Sequence, residues 1–262
     1  MQGSANLTIM LKAARKAGRA LIKDFGEVEN LQVSMKGPGD FVSRADRNAQ
    51  AIIKEELMTA RPTYGWFAEE DKAEEPGIDP TRRWIVDPLD GTTNFLHGMP
   101  HWAVSIALEH KGIIVVGVIY DPSKDEMFFA EKGNGAFVNE SRLRVSGRTH
   151  MIEAVFATGL PFGGRADLPE TLHDLARVLP GCAGVRRWGS AALDLAYVAA
   201  GRYDGFWERS LNAWDMAAGL VIVREAGGLI EPLDKNGDIL ADGEVICANE
   251  PLFDPLCKLI RG

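Results

Sequence analysis

The sequence predicts a layered α/β protein of the mixed α+β kind, and three observations carry that expectation. Residues 4–25 hold Leu7, Met10, Leu11, Ala14, Gly18, Leu21, Ile22 and Phe25 at helical spacing, with basic residues between them. Residues 102–138 form a run of short β-rich segments separated by turn residues. From about residue 150 strands and helices alternate. At 262 residues the chain is long enough for one elaborate domain or two tightly joined halves, 1–145 and 146–262.

After the first helix, Lys36, Gly37, Pro38, Gly39 and Asp40 read as a loop. A second helix begins near Ser43 or Arg44, turns Ala45, Ala49, Ile52, Ile53 and Leu57 inward, and ends before Pro62. Thr63–Ala68 is a short strand that runs into Glu69, Glu70 and Asp71. Trp84, Ile85 and Val86 form another, which runs into Asp87 and Asp90, followed at once by Gly91, Thr92 and Thr93. The segments Trp102–Glu109, Ile113–Tyr120 and Glu126–Ala130, punctuated by Lys111-Gly112 and Asp121-Pro122, read as an antiparallel meander continuing through Gly135–Val138. Further strands fall near 153–157, 184–187, 204–208 and 244–248. Helices fall near 168–178, 190–200, 213–226 and 251–260.

Composition is ordinary for a globular chain, with 46% apolar and 25% charged residues. The net charge of −8 and dispersed basic residues give little support to general nucleic-acid binding. Three cysteines (Cys182, Cys247, Cys257) show neither metal-ligand spacing nor a disulfide framework. Lys12, Arg15, Lys16 and Arg19 interrupt the apolar positions near the start, so no signal-peptide core is expected there. No apolar run approaches membrane-spanning length, and the expectation is a soluble cytoplasmic protein.

Residues 84–98 are the most informative stretch. Asp87 and Asp90 follow an apolar strand, where ligand sites of layered α/β proteins lie, although Asp-Pro and Asp-Gly are also frequent in turns. Hard divalent cations such as Mg²⁺ take carboxylate and carbonyl oxygens, and phosphate oxygens take backbone N–H groups at a helix start. The stretch supplies both, which points to metal-assisted phosphate chemistry. On their own Glu69, Glu70 and Asp71 read more readily as a solvated acidic turn, and gain a claim only because they follow a short strand and two aspartates alone do not build a multi-cation site. Asp215 is favoured in a first helical turn by the macrodipole, yet its neighbours are densely apolar and a buried carboxylate needs a cation or hydrogen bonds.

Other signals fail. The five histidines make no zinc motif. Asp234–Asp238 starts like a calcium loop, but Ile239 and Val245 replace the required Gly and Glu, so it reads as a hairpin turn. There is no P-loop, no complete dinucleotide fingerprint, no Asp-x-Asp pair and no Gly-x-Ser-x-Gly elbow.

Taken together, Ala68–Asp71, Trp84–Thr93 and Trp214–Gly219, with Lys36, Asp46, Gly189–Ala192 and Glu208, resemble the inositol monophosphatase family across essentially the whole chain. Gly189–Gly201 is most similar to its bacterial SuhB-like branch. The resemblance implies a layered αβαβα sandwich, a homodimer, and Mg²⁺-dependent, Li⁺-sensitive hydrolysis of small phosphate monoesters, myo-inositol 1-phosphate first. Sugar bisphosphates such as fructose 1,6-bisphosphate, 3′-phosphoadenosine 5′-phosphate and histidinol phosphate are the alternatives within the superfamily. A regulatory role with RNA or the transcription machinery is the alternative outside catalysis. By the same resemblance, Glu69, Asp87 and the Leu89 carbonyl would hold one Mg²⁺, and Asp87, Asp90 and Asp215 a second. A third would sit near Glu69 through water. Thr92 with Asp46 would orient and help deprotonate the attacking water. The Gly91 and Thr92 amides would bind phosphate, with Thr93 beside them. Asp90, Gly189, Ser190, Ala191, Glu208 and Asp215 would face the polyol, and Lys36 and Glu70 would be auxiliary. Two departures stand out: Ala68 occupies a position where relatives often have Gly, and Trp188 is bulkier than the small residue expected before Gly189.

Overall fold

The computed structural model describes residues 3–27, 33–37, 40–71, 73–161 and 168–262, with backbone alone for 33–37 and 40–43. Helix α1 (Ala5–Phe25) starts at Ser4, whose Oγ accepts the Leu7 N–H at 3.2 Å. It buries Leu7, Met10, Ala14, Gly18 and Leu21, as its spacing predicts, but Ile22 lies 42% exposed at the edge of that face. Strands β1 (Val33–Gly37) and β2 (Asp40–Ser43) then form a small antiparallel hairpin, where the sequence reads only as a loop. Val33-Ser34-Met35-Lys36 alternates apolar and polar residues, the period of a strand, which the loop reading passed over; Pro38 and Gly39 lie outside the described residues.

Helix α2 (Arg44–Ala60) lies beside α1, with Lys12 and Lys16 paired to Glu55 and Glu56 on the outer surface. Next come β3 (Tyr64–Ala68), β4 (Asp79–Asp90), the single-turn α3 (Thr92–Leu96), and β5 (Ala103–His110), β6 (Ile113–Asp121), β7 (Glu126–Glu131), β8 (Gly135–Val138) and β9 (Ser141–Arg142). These strands form one seven-stranded sheet in chain order, parallel between β3 and β4 and antiparallel thereafter. The predicted meander is thus β5–β8. Strand β4 is longer than the apolar triplet that signals it, because its polar first half pairs along the chain before the strand becomes buried.

The second half contains β10 (Val155–Thr158), α4 (Leu168–Val178), β11 (Gly184–Arg186), α5 (Ala191–Ala199), β12 (Gly205–Glu208), α6 (Ala213–Glu225), β13 (Leu229–Glu231), α7 (Ile239–Asp242), β14 (Val245–Ala248) and α8 (Glu250–Arg261). Its five strands order as β11-β10-β12-β14-β13, with β10 parallel to both neighbours and β14 antiparallel to both of its own. The segment read as a hairpin turn belongs to a longer β13–β14 connection. There Asp238 caps the single turn α7 by accepting from the Leu240 and Ala241 amides.

Packing follows from which faces are apolar. Along β4, Trp84 and Val86 join the core under α1 and α2, while Ile85 joins the core shared with α5 and α6. A strand buried on both faces reads as an unbroken apolar run, which is what 84–86 shows. Helices α5 and α6 are apolar almost all round and lie between the two sheets. Helix α8 is amphipathic and covers the outer side of the smaller sheet beside α4. The result is helix, sheet, helix, sheet, helix, the layered arrangement implied above. Among the described residues no helix is long and apolar enough to cross a membrane.

His101, in the connection between α3 and β5, is 4% exposed; its ring lies against Trp188 and Tyr197, and its Nε2 has no hydrogen-bond partner among the described residues. Burial lowers its pKa to about 4, with the Lys124 charge adding to this and Asp121 opposing it. Between about pH 6.5 and 4 the unfolded chain takes up a proton that folded His101 refuses, so this contribution is present above 6.5 and lost as pH falls. Denaturant titrations should therefore show wild type losing about 2 kcal/mol more than His101→Gln between pH 7 and 4.5. Parallel losses in the two proteins would show that the ring is solvated.

Candidate active site

The site begins where β4 loses its register. The pairing with β5 shifts between Asp87 and Asp90, leaving Pro88 and Leu89 out of the ladder. Pro88 has no N–H to donate, so a bulge suits it, and bulges re-aim side chains. Asp87 and Asp90 are thereby presented at the end of the strand, 2% and 9% exposed. The turn is held locally: Asp87 accepts the Leu89 N–H at 2.9 Å, and the Thr92 hydroxyl donates to the Leu89 carbonyl at 3.0 Å. Gly91 takes a positive φ of 90° immediately before α3, which places Thr92 at the helix start.

Two further helix starts converge here. Ser190 caps α5, and Asp90 accepts from both the Ser190 hydroxyl (2.5 Å) and the Ala192 amide (2.8 Å). Asp215 occupies the third position of α6 and accepts the Asn212 N–H at 2.7 Å in a capping box. Glu69 follows β3, and its amide donates to the Val86 carbonyl at 3.2 Å. The next residue, Glu70, is anchored through its amide to Gln50 Oε1 of α2 at 3.0 Å.

One oxygen from each of Asp87, Asp90 and Asp215 lies within 4.8 Å of the others. Burial drives the Asp87 carboxyl well above its ordinary range, and the charges of Glu69, Asp90 and Asp215 push it further. Asp90 is raised to about 6 by burial, against the opposing donors Ser190, Ala192, Ala191 and Gly91. Asp215 is raised to about 8 by burial and the Asp90 charge, against the Asn212 amide. Crowded, dehydrated carboxylates of this kind are satisfied by a cation. An all-oxygen donor set suits Mg²⁺ rather than a thiolate- or imidazole-seeking metal.

These groups share a cleft of about 390 Å³, which Glu69, Asp87, Leu89, Asp90, Gly91, Thr92, Thr93, Gly189, Ser190, Ala191, Glu208 and Asp215 all line. Glu69 lines it without completing the three-carboxylate cluster. Asp46 is buried in the first turn of α2 and Glu70 is tied through its amide to Gln50, and neither lines the cleft. The Lys36 side chain lies outside the described residues. Sequence reasoning missed Asn94, Gly159, Arg187, Arg209 and Asn212, which also line the cleft. At Gly159 a methyl would meet the far end of the Glu208 side chain and displace its carboxylate. No local pattern marks it, because Glu208 reaches it from a neighbouring strand.

A model of the inositol monophosphatase family matches residues 5–261. An inositol-1-monophosphatase of Rhizobium meliloti is 55% identical over 261 residues, spanning 100% of this chain and 98% of that protein. A protein of Pseudomonas aeruginosa named Nus factor SuhB is 43% identical over 258 residues, spanning 97% and 95%. The crystal structure of the extragenic suppressor protein suhB from Bartonella henselae superposes with a TM-score of 0.95 at 53% identity, covering 98% of this chain and 99% of that one.

Replacing one member of the cluster removes like-charge repulsion, so Asp87→Asn in the presence of chelator should be more stable than wild type by roughly 1–2 kcal/mol. The same variant should lose most of the melting-temperature rise that millimolar Mg²⁺ confers on wild type. A variant that is still stabilised like wild type would remove Asp87 from the cation site.

Proposed function

The chain belongs to the inositol monophosphatase family, and on that footing we propose that it hydrolyses myo-inositol 1-phosphate and related small polyol phosphates with Mg²⁺. The observation that carries the reading is the convergence of Asp87, Asp90 and Asp215 beside the Gly91–Thr92 helix start in one cleft. Glu69, Asp87, the Leu89 carbonyl, Asp90 and Asp215 are the residues that would hold two Mg²⁺ ions, with a third near Glu69. Bound there, Mg²⁺ would lower the pKa of water and stabilise charge on the attacking and leaving oxygens.

The protein's own groups do the remainder. The Gly91 and Thr92 amides receive phosphate oxygens at the start of a helix, which favours negative charge, the Gly91 N–H being shared with the Asp90 carboxylate. Thr92 Oγ1, tethered to the Leu89 carbonyl, orients the attacking water, and Asp46, buried in α2 off the cleft wall, is assigned to help deprotonate it on the family resemblance alone. Gly189, Ser190, Ala191 and Glu208 form the wall that meets the polyol, and Asp90 and Asp215 serve both metal and hydroxyls. No side chain needs to become covalently attached, so the phosphorus should invert. In this reading residues 1–145 and 146–262 are halves of one domain with the site between them. The same reading includes a cytoplasmic setting, inhibition by Li⁺ and a homodimer. The exposed Trp188 and Met99, both linked to His101, offer apolar surface for the second copy.

A second reading rests on relatives named Nus factor SuhB, 42–43% identical over nearly the whole chain. It assigns the protein a transcription-associated role beside or instead of hydrolysis. An Asp87→Asn protein that loses hydrolysis yet restores every phenotype of a deletion strain would favour it.

The direct test is phosphate release from a substrate panel. We expect myo-inositol 1-phosphate to be turned over with a kcat/KM well above those of 3′-phosphoadenosine 5′-phosphate, fructose 1,6-bisphosphate and histidinol phosphate. Thr92→Val should lower kcat by about 10²–10⁴ with little change in KM, the usual range for losing a positioned proton-transfer group. Faster turnover of one of the competitors would transfer the assignment to it. Retention at a chiral thiophosphate would exclude direct attack by water.

A further inference from the structure

We propose that Asn94 is a positioning residue that sets selectivity for polyol esters by clamping the substrate-facing segment 187–191 onto the phosphate helix. The proposal rests on the phosphatase reading above and deepens it. Asn94 sits two residues after Thr92 in α3 and is 5% exposed. Its Nδ2 donates to the His101 carbonyl at 2.8 Å and to the Trp188 carbonyl at 2.7 Å. A primary amide has two N–H donors, and both are used on backbone carbonyls from segments 7 and 94 residues away.

The segment it holds has no ladder or helix of its own. Strand β11 ends at Arg186 and α5 begins at Ala191; between them Arg187 reaches the Leu160 carbonyl and Ser190 caps α5, and the Trp188 carbonyl is held by Asn94. Asp90 fixes one end through Ser190 and Ala192, and Asn94 fixes the other through Trp188. The backbones are already close around this point. A methyl at Gly91 would lie 3.0 Å from the His101 carbonyl and 3.3 Å from that of Gly189, and one at Gly189 would lie 3.5 Å from the Asn94 amide nitrogen. The Trp188 ring, 51% exposed, rests on His101 at 5.2 Å, so both carbonyls that Asn94 binds belong to residues in mutual contact.

Selectivity follows from the placement of the two subsites. Phosphate is received on the α3 side, at Gly91 and Thr92, and hydroxyls on the α5 side, at Gly189–Ala191. A polyol phosphate gains from both only if their spacing is constant, whereas an ester without hydroxyls needs the phosphate side alone. Misplacement on the order of 1 Å can cost about 10²-fold in rate. Loosening the clamp should therefore penalise the polyol ester selectively.

Asn94→Asp keeps the shape but turns an oxygen toward two carbonyls, and Asn94→Ser removes the reach. With either variant, kcat/KM for myo-inositol 1-phosphate relative to p-nitrophenyl phosphate should fall about tenfold or more, mostly through KM. The Mg²⁺ concentration giving half-maximal stabilisation should stay at the wild-type value. Hydrogen exchange at the bonded amides of residues 192–194 and at Met99 and His101 should accelerate while the strands of both sheets keep their protection. Equal losses on both esters, or unchanged exchange at 192–194, Met99 and His101 in a folded variant, would overturn the proposal. Should Asn94→Asp fail to fold, Asn94→Ser decides by the same two readouts. Wild-type protein inactive on both esters would fail the parent reading, and the exchange measurement would still decide the clamp.

Discussion

The Asp90 carboxylate ends a strand of the seven-stranded sheet and caps a helix that lies between the two sheets. This one group accepts the Ser190 hydroxyl and the Ala192 amide across about a hundred residues of chain. A buried carboxylate in such a place cannot be left unpaired, since the desolvation it suffers is tolerable only with strong donors or a cation. The position of α5 relative to β4 is therefore set by the same atom that faces the cleft. Structure and chemistry draw on one residue, and the two halves of the molecule meet there.

The rest of the site is arranged around that constraint. Asp215 enters from the first turn of α6, where the helix start favours its charge and Asn212 completes a capping box. Asp87 is held by the Leu89 amide in the bulge. Each acid has some compensation from the backbone, yet burial still raises all three above the ordinary carboxylate range. The apolar layers that make α5 and α6 so well packed also deny these acids water. A site of this kind trades stability of the cation-free protein for affinity toward a divalent ion, a familiar tension between function and stability.

Much of the layering was legible in the chain. The 3.6-residue spacing of Leu7, Met10, Ala14 and Leu21 and the unbroken run of Trp84, Ile85 and Val86 report burial directly, because local geometry alone dictates those patterns. Elements whose formation depends on a partner were less visible. The first half of β4 is polar, and β2 and β13 are too short to show a period, whereas Val33-Ser34-Met35-Lys36 of β1 does alternate and was legible. Ile22 fits the helical stripe and is nonetheless exposed, because the face that buries α1 is narrower than the stripe. Asp234–Asp238 carries turn residues, but their use as a cap for α7 depends on where β13 and β14 pair.

By itself the sequence determined the kinds of element, their order, and the chemistry available: acids after apolar strands, a glycine and threonines at a helix start, and a third acid in a first helical turn. The resemblance it carries to one family placed the distant members of the set. Tertiary structure alone decided that Asp90 caps α5, that Gly159 makes room for Glu208, that Asp46 lies off the cleft wall, and that the Asn94 amide spans two segments. The physical reason is range. Periodicity, caps and turns act over a few residues and leave a mark in the local sequence. A contact between residues a hundred positions apart leaves none, since either partner alone looks like an ordinary polar residue until the layers bring the two together.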